Sequence, residues 1–286
     1  MRRIRIRVVA GLVIALSALS AFAFEWPADA GRFRFGFGAP RGGFLRGVEF
    51  GSADGLVTAA DDGELTFSAQ GPRLPGGYPL VAGSLVVVAH ASSMTTVYAG
   101  LKPGSVSSYL KNVRKGDVLG RSSEAKDARG VSFYTFDAKE RRFINPMIVM
   151  PSVSDDKPPV IRSMALSLEA DGSYADQSKP IRQGSYYVVV DAYDLSPSGS
   201  QSSPFDLRVL IDGSERGRMV YDAAWAADGR ATLFGGVGVE EGAYLVADGR
   251  VRFGPFSLSR GRVLVTVAAS DYASNRREQT YSISVQ

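Results

Sequence analysis

The chain has 286 residues, 22% of them charged, and it contains no cysteine. Lysine and arginine outnumber aspartate and glutamate by 33 to 29, but four of the arginines lie within the first seven residues. Without those four the two signs balance, so the rest of the chain lacks the net charge that attracts nucleic acid or an anionic membrane. Neither partner is expected, and without cysteine no disulfide or lipoprotein attachment is expected either.

The first 23 residues have the three parts of a secretory signal. A basic start is followed by an apolar run over residues 8–19 and by Ala21-Phe22-Ala23, the small–x–small pattern that signal peptidase recognises. We therefore predict that residues 1–23 are a signal peptide and that the mature chain begins at Phe24. An uncleaved anchor is the alternative, although the run is short for a membrane span. The protein is expected to be exported, to the periplasm or the extracellular envelope, with no membrane span after signal cleavage.

Short strand candidates separated by glycine turns fill residues 31–150, the predicted first domain. Turns are predicted at Asp62-Gly63 and Lys115-Gly116, and a short helix or turn at 105–113. The strand candidates are 55–60, 64–67, 84–89, 95–98 and 131–136. This pattern predicts an antiparallel β-sheet domain.

A polar, proline-containing linker is predicted over 151–159, and residues 160–286 form a second predicted domain. Eight strand candidates at regular spacing favour a β-sandwich, so the predicted fold class is all-β. They are 160–168, 185–193, 205–211, 217–221, 243–246, 251–256, 262–269 and 279–285. The last hairpin, over 265–285, resembles the final hairpin of bacterial immunoglobulin-like modules.

Between residues 44 and 146 the first domain carries an ordered series of motifs. The series is Phe44-Leu-Arg-Gly-Val-Glu-Phe-Gly51, Val57-Thr-Ala-Ala-Asp-Asp-Gly-Glu-Leu65, Thr95-Thr-Val-Tyr-Ala-Gly-Leu101, Val113-Arg-Lys-Gly-Asp-Val-Leu-Gly120, Ser132-Phe-Tyr-Thr-Phe136 and Ile144-Asn-Pro146. In this order the segments resemble the lysostaphin/LytM-type zinc peptidases, the duplicated hybrid motif family. The resemblance implies a lysostaphin-like antiparallel sheet.

The departures from the family pattern fall on its chemistry. In the family, two histidines and an aspartate hold zinc, and two further histidines assist the metal-bound water. The resemblance places Leu45, Glu49 and Tyr134 at the zinc positions and Ser132 and Gly100 at the assisting positions. We call these five positions the relic groove. Among them only Glu49 could ligate a metal, so the resemblance implies a degenerate site.

The residue types lead to the same expectation without the family. A catalytic zinc needs three protein ligands and one open position, yet the chain has one histidine, His90, and no cysteine. A site built from His90 with carboxylates, or from carboxylates alone, would suit Ca²⁺ or Mg²⁺ better. We therefore predict no metal, no cofactor and no catalytic residue. His90 is interpreted as a strand-end residue or, alternatively, as a groove residue that contacts a ligand.

Several aspartates lie at predicted strand ends or in the linker. The pairs Asp191/Asp194 and Asp271/Asn275 could cap turns or bind Ca²⁺, and turns are favoured because aspartate and asparagine bond their own backbone there. Asp155 and Asp156 are interpreted as linker charges, with a cation site as the alternative.

The resemblance implies an exported pseudoenzyme, a non-catalytic peptidase homologue that regulates or scaffolds peptidoglycan remodelling. Its partner would be a cell-wall hydrolase or another envelope protein, with peptidoglycan itself as a further candidate. Two alternatives stay open: a module that binds peptidoglycan peptides without cleaving them, and an active zinc endopeptidase with unorthodox ligands.

Overall fold

The protein is described here by a computed structural model. It describes residues 24–40, 44–51, 55–70, 83–106, 111–122, 130–168, 174–227, 230–234, 239–240 and 249–286. Across these residues the strands pair in antiparallel fashion, which confirms the predicted all-β class. The helical residues described are a 3-10 turn, Ala30–Arg32, and one short helix, α1, Pro146–Val149. The predicted signal peptide lies outside the described residues.

The strands divide at the predicted linker. Before it come β1 (Phe33–Phe35), β2 (Val48–Phe50), β3 (Leu56–Thr58), β4 (Gly63–Gln70), β5 (Ser84–Ala89), β6 (Met94–Leu101), β7 (Asn112–Val113), β8 (Val118–Arg121), β9 (Val131–Asp137) and β10 (Arg142–Ile144). After it come β11 (Val160–Ser167), β12 (Gly184–Leu195), β13 (Gln201–Ser202), β14 (Asp206–Ile211), β15 (Ser214–Val220), β16 (Ala223–Ala227), β17 (Arg230–Phe234), β18 (Val239–Glu240), β19 (Val251–Leu258), β20 (Gly261–Ser270) and β21 (Arg276–Val285).

The centre of the N-terminal part is the antiparallel run β4-β5-β6-β9. The edge of β9 that faces away from β6 pairs with β2 along its first half and with β10 along its second half. Successive side chains of a strand point to opposite sides of the sheet. In these strands both alternating sets of side chains are apolar, so both faces of the sheet are apolar. One face carries Val86, Tyr98 and Phe133, while Val97 and Tyr134 lie in a separate cluster on the other face.

This sheet continues across the predicted linker. Strand β10 pairs with β16, with Arg142 opposite Trp225 and Ile144 opposite Ala223, and β17 and β18 extend the sheet further. The residues assigned to a second domain therefore supply strands to the first sheet. The boundary at 151–159 is still a prediction about domains, but it is not a boundary of the sheet. The predicted strand at 243–246 lies outside the described residues.

Two further sheets, β11-β12-β19 and β15-β14-β20-β21, face each other as a β-sandwich. Their inward-facing side chains, such as Val190, Val209 and Val267, are nearly all buried. These residues belong to the same core cluster as Val97 and Tyr134 of the N-terminal sheet. One apolar core therefore runs from the sandwich to one face of that sheet.

Aromatic rings connect the two parts of the core. The ring of Phe44 stacks on that of Tyr221, with centroids 6.2 Å apart and planes 8° from parallel. The side-chain amide of Asn145 donates to the carbonyl of Tyr221 at 2.7 Å. Gly38 lies against the same ring with φ +89°, and a Cβ at this position would overlap the ring carbons of Tyr221.

This close approach can be tested with the substitution Gly38→Ala. We expect a loss of roughly 3 kcal/mol in the free energy of unfolding, since the new methyl group must displace a packed ring and adopt an unfavourable φ. Gly104→Ala is the matched control, because Gly104 has φ +78° and open space around it, and should lose only about 1 kcal/mol. Urea unfolding measures both, and equal losses would contradict the packing described.

Candidate functional site

Strand pairing places most of the relic groove on one side of the N-terminal sheet. Glu49 of β2 lies opposite Ser132 of β9, and Ala99 of β6 lies opposite Ser132 on the other edge. Residues two apart on a strand share a face, so Glu49, Ser132 and Tyr134 point to the same side. Leu45 belongs to the same core cluster as Tyr134. The structure therefore brings these four residues to one side of the sheet.

The relic groove is packed rather than open. Exposure is 9% for Leu45, 3% for Glu49, 5% for Ser132 and 5% for Tyr134. The Tyr134 ring makes an edge contact with Phe143 at 6.3 Å between centroids. The expectation that these side chains line a groove is corrected accordingly: they are core residues, because apolar Leu45 and Tyr134 gain more from burial than from facing water.

The backbone conformation and the close packing at position 100 require glycine. Gly100 is the extra residue of a β-bulge, since Leu101 lies opposite Ser84 and Ala99 lies opposite the next residue of β5. Its φ is +79°, and a Cβ would overlap the carbonyl oxygen of Gly130. A side chain therefore has no room at this position.

These positions do not fit a catalytic zinc ion. A zinc site needs three nitrogen, sulfur or oxygen ligands around one point, and Glu49 alone has a ligating carboxylate. The hydroxyls of Ser132 and Tyr134 are poor zinc ligands at neutral pH. No step of a metal-dependent reaction can be assigned to this donor set.

His90 lies on the opposite side of the sheet from the relic groove. It is 7% exposed, and its ring makes an edge contact with Phe24 at 5.1 Å between centroids. Its Nδ1 lies 2.7 Å from the carbonyl oxygen of Asp62 and its Nε2 lies 2.8 Å from Thr96 Oγ1. Both ring nitrogens are therefore engaged inside the protein, so the interpretation of His90 as a groove residue that contacts a ligand is corrected.

A second arrangement of polar residues lies beside the sandwich. Asp155 of the linker, Asp194 of β12 and Asp271 after β20 each place a carboxylate oxygen within 4.8 Å of the other two. Within the described ranges, these three aspartates are the group of acidic side chains that lie close enough together to share a metal ion. The side-chain amide of Asn275 donates to Asp271 at 2.8 Å and to the Asp155 carbonyl at 3.0 Å.

The three carboxylates face a cavity of about 70 Å³ whose walls include Phe37, Phe205 and Tyr272. Oxygen ligands of this kind could hold a hard cation such as Ca²⁺. Burial and the nearby charges of Asp155 and Asp271 raise the pKa of Asp194 to about 7, and burial also raises the pKa of Asp271. The sequence pattern favours a linker charge for Asp155 and turn roles for Asp194 and Asp271, because nothing local indicates that the three converge.

Comparisons with known proteins gave a family model and several solved structures. A family model, of a family whose function is not characterised, matches residues 158–286, less than half of the chain. A comparison with curated proteins found no match. Among the described residues, no helix has the length and apolar character needed to cross a membrane.

Similar solved structures include peptidases. Csd3 of Helicobacter pylori is 23% identical over 48% of this chain and 37% of Csd3, with a TM-score of 0.35. A zinc-containing peptidase from Vibrio cholerae is 20% identical over 46% of this chain and 40% of its own, with a TM-score of 0.34. Lysostaphin is 14% identical over 90% of both chains, with a TM-score of 0.35. The chain thus spans well under two thirds of the first two, and TM-scores this low say nothing about the site or the activity.

Placing a histidine at position 100, where the resembling family has one, is expected to destabilise the fold without creating a zinc site. Gly100→His should lose more than about 3 kcal/mol of unfolding free energy because its Cβ meets backbone that cannot move aside. Gly116→His is the matched control, since Gly116 has φ +87° and nothing within 4 Å of a Cβ. Urea unfolding and zinc content measure the result. A stable Gly100→His variant that binds zinc would contradict the geometry described.

The acidic cluster predicts an unusual pH dependence of stability. The folded pKa of Asp194, about 7, exceeds the unfolded value of about 3.9, so the folded state binds more protons between these values. Stability should therefore rise as the pH falls from 8 towards 5. Asp194→Asn should flatten this dependence and gain about 1 kcal/mol at pH 8, a figure reduced for the partial exposure of the carboxyl. Thermal unfolding in a pH series measures it, and Asp176→Asn, at an exposed carboxyl, is the control.

Proposed function

We propose that the protein is an exported, non-catalytic homologue of lysostaphin-type peptidases. Its role is to regulate or scaffold peptidoglycan remodelling in the cell envelope. The observation that carries this proposal is the donor set of the relic groove, where Glu49 is the one residue with a metal-binding side chain. A further catalytic group would have to come from elsewhere in the chain.

The single histidine of the chain does not supply that group. His90 lies on the other side of the N-terminal sheet, and both of its ring nitrogens bond within the protein. A catalytic metal lowers the pKa of bound water from about 16 to about 7, and the buried hydroxyls of Ser132 and Tyr134 provide no comparable nucleophile. The active-endopeptidase alternative is therefore the less favoured one.

The burial of the relic groove also bears on the binding-module alternative. A peptide site is concave and accessible, whereas the four side chains of the relic groove are at most 9% exposed. We therefore favour a protein partner, a cell-wall hydrolase or another envelope protein, that docks on a different surface. We infer export from the predicted signal peptide, so the expected place of action is the periplasm or the extracellular envelope.

The proposal predicts that the purified mature protein holds far less than one zinc ion per chain after dialysis. It also predicts that incubation with purified sacculi releases no new amino termini above a blank, because the donor set cannot activate water. Elemental analysis and amine labelling measure the two quantities, with lysostaphin as the active control. Equimolar zinc together with release that a chelator abolishes would refute the non-catalytic assignment.

Regulation has its own measurement. A cell-wall hydrolase from the same envelope should digest sacculi at a different rate when this protein is added in equimolar amount. The regulator or scaffold role would be contradicted if every hydrolase of that envelope digested sacculi at an unchanged rate and none co-purified with this protein. Direct binding to sacculi would then be favoured, and a pelleting assay detects it.

A further inference from the structure

A largely apolar cavity of about 70 Å³ lies where the N-terminal sheet, the linker and the sandwich meet. Phe37 lines it from the segment after β1, and Val153 lines it from the linker. Phe205 and Tyr272 line it from the sandwich, with their rings in edge contact at 5.2 Å between centroids. Pro197 belongs to the lining and is exposed, so the cavity opens to the surface. We call this space the junction cavity.

Hydrogen bonds hold the walls of the junction cavity in place. The amide of Gly36 donates to Ser202 Oγ at 2.7 Å, which joins the N-terminal part to the sandwich. The side-chain amide of Asn275 donates to Asp271 at 2.8 Å and to the Asp155 carbonyl at 3.0 Å, which joins the linker to the sandwich. The cavity is therefore preformed, and a bound group would lose little free energy in ordering its walls.

Three carboxylates crowd one end of the junction cavity. Asp155, Asp194 and Asp271 line it, and each places an oxygen within 4.8 Å of the other two. Among the described residues, no lysine or arginine pairs with any of the three. Like charges at this spacing repel one another in a partly buried site. A positively charged group placed between them would relieve the repulsion.

An alkylammonium group fits this arrangement better than a metal ion does. An ammonium has three N–H donors, one for each carboxylate. Three oxygens that accept from one nitrogen at about 2.8 Å lie roughly 4.6 Å apart, which agrees with the spacing of the carboxylates. Ca²⁺ takes about six to eight oxygen ligands, whereas the rings of Phe37, Phe205 and Tyr272 bound the adjoining space. Such apolar walls suit the alkyl stem of a lysine.

The size of the junction cavity matches a lysine side chain. Each water-sized group needs roughly 10–15 Å³ of this kind of space, so a cavity of about 70 Å³ holds about five such groups. A lysine side chain supplies four methylenes and one nitrogen. The planar guanidinium of arginine is larger, and it matches one carboxylate bidentately rather than three carboxylates around one point.

We propose that the junction cavity receives a lysine side chain of the protein partner, with its stem against the aromatic walls and its ammonium bonded to Asp155, Asp194 and Asp271. The identity of that partner, a cell-wall hydrolase or another envelope protein, rests on the proposed function. The chemistry of the cavity does not. The junction cavity is thus the part of the surface on which the partner docks.

A lysine probe tests this chemistry without any partner. Nα-acetyl-lysine methylamide is added to the nitrogen-15-labelled mature protein, and the NMR shifts of the amides of Ser203 and Ala273, which line the cavity, follow binding. The probe should bind at least tenfold more tightly than its Nε-acetylated form, a difference of about 1.4 kcal/mol, because acetylation keeps the stem and removes the charge. Equal affinities, no binding, or shifts confined to other residues would overturn the proposal.

A pair of neighbouring variants tests the carboxylates. Asp155→Asn should weaken binding of the lysine probe by about tenfold, because it removes one of the three charges while keeping the shape of the side chain. Asp156→Asn is the matched control, since Asp156 carries the same charge, follows directly in the chain and is exposed. It should change the affinity by less than about twofold. Equal losses in the two variants would indicate general attraction by net charge and would overturn the proposal.

Calcium tests the competing assignment of the three carboxylates. An equimolar amount of Ca²⁺ should leave the affinity for the lysine probe unchanged, because the aromatic walls supply none of the further oxygen ligands that the ion prefers. Displacement of the probe by equimolar Ca²⁺ would overturn the proposal and assign the carboxylates to a metal ion.

Digestion of sacculi by a hydrolase tests the partner. Where the parent protein changes the rate of a hydrolase, Asp155→Asn should reduce that change by at least about fivefold, and Asp156→Asn should preserve it. A rate change that survives Asp155→Asn would overturn the docking role of the cavity. A parent protein that affects no hydrolase would contradict the proposed function instead, and binding of the lysine probe would still decide whether the cavity takes a lysine.

Discussion

Strand β9 is hydrogen-bonded along both edges and buried on both faces, and the rest of the structure is arranged around it. One edge is bonded to β6, and the other is divided between β2 and β10. On one face Phe133 packs in the cluster that contains Val86 and Tyr98, and on the other face Tyr134 belongs to the core that continues into the sandwich. Any cavity at Ser132 or Tyr134 would have to displace packed side chains on that face.

Packing at these positions stabilises the fold more than a polar site would. A buried polar site costs free energy unless each group has a partner, whereas burying a leucine or a tyrosine stabilises by about 2 kcal/mol. Leu45 and Tyr134, buried in the core, thus support the fold. Stability and activity commonly oppose each other at such sites, and here the residues present favour stability.

Much of the fold could be predicted from alternation and turn chemistry. Strands β5, β9 and β20 match the predicted segments closely because their apolar residues recur in runs that glycine turns interrupt. The pairing of β10 with β16 could not be predicted, because β10 is three residues long and β16 is rich in alanine, so neither has a distinctive pattern. Convergence of the three aspartates is likewise a property of the tertiary structure.

For the candidate site, the strand register brings Glu49, Ser132 and Tyr134 to one side of the sheet, and the role of these residues stays a prediction. Burial depends on what packs above a sheet, which no local pattern encodes, and the conformation of Gly100 depends on a carbonyl thirty residues away. The identity of a residue is visible in the sequence, while the space around it is not.

The pairing of β10 with β16 also limits modularity. Residues 160–286 have the spacing of a cassette that could be exchanged between proteins, but their hairpin completes the edge of another sheet. Recombination that joined this segment to a different N-terminal partner would leave one strand edge bare on each side, and bare edges promote aggregation and exchange of hairpins between copies. The two halves are therefore expected to be inherited together rather than shuffled.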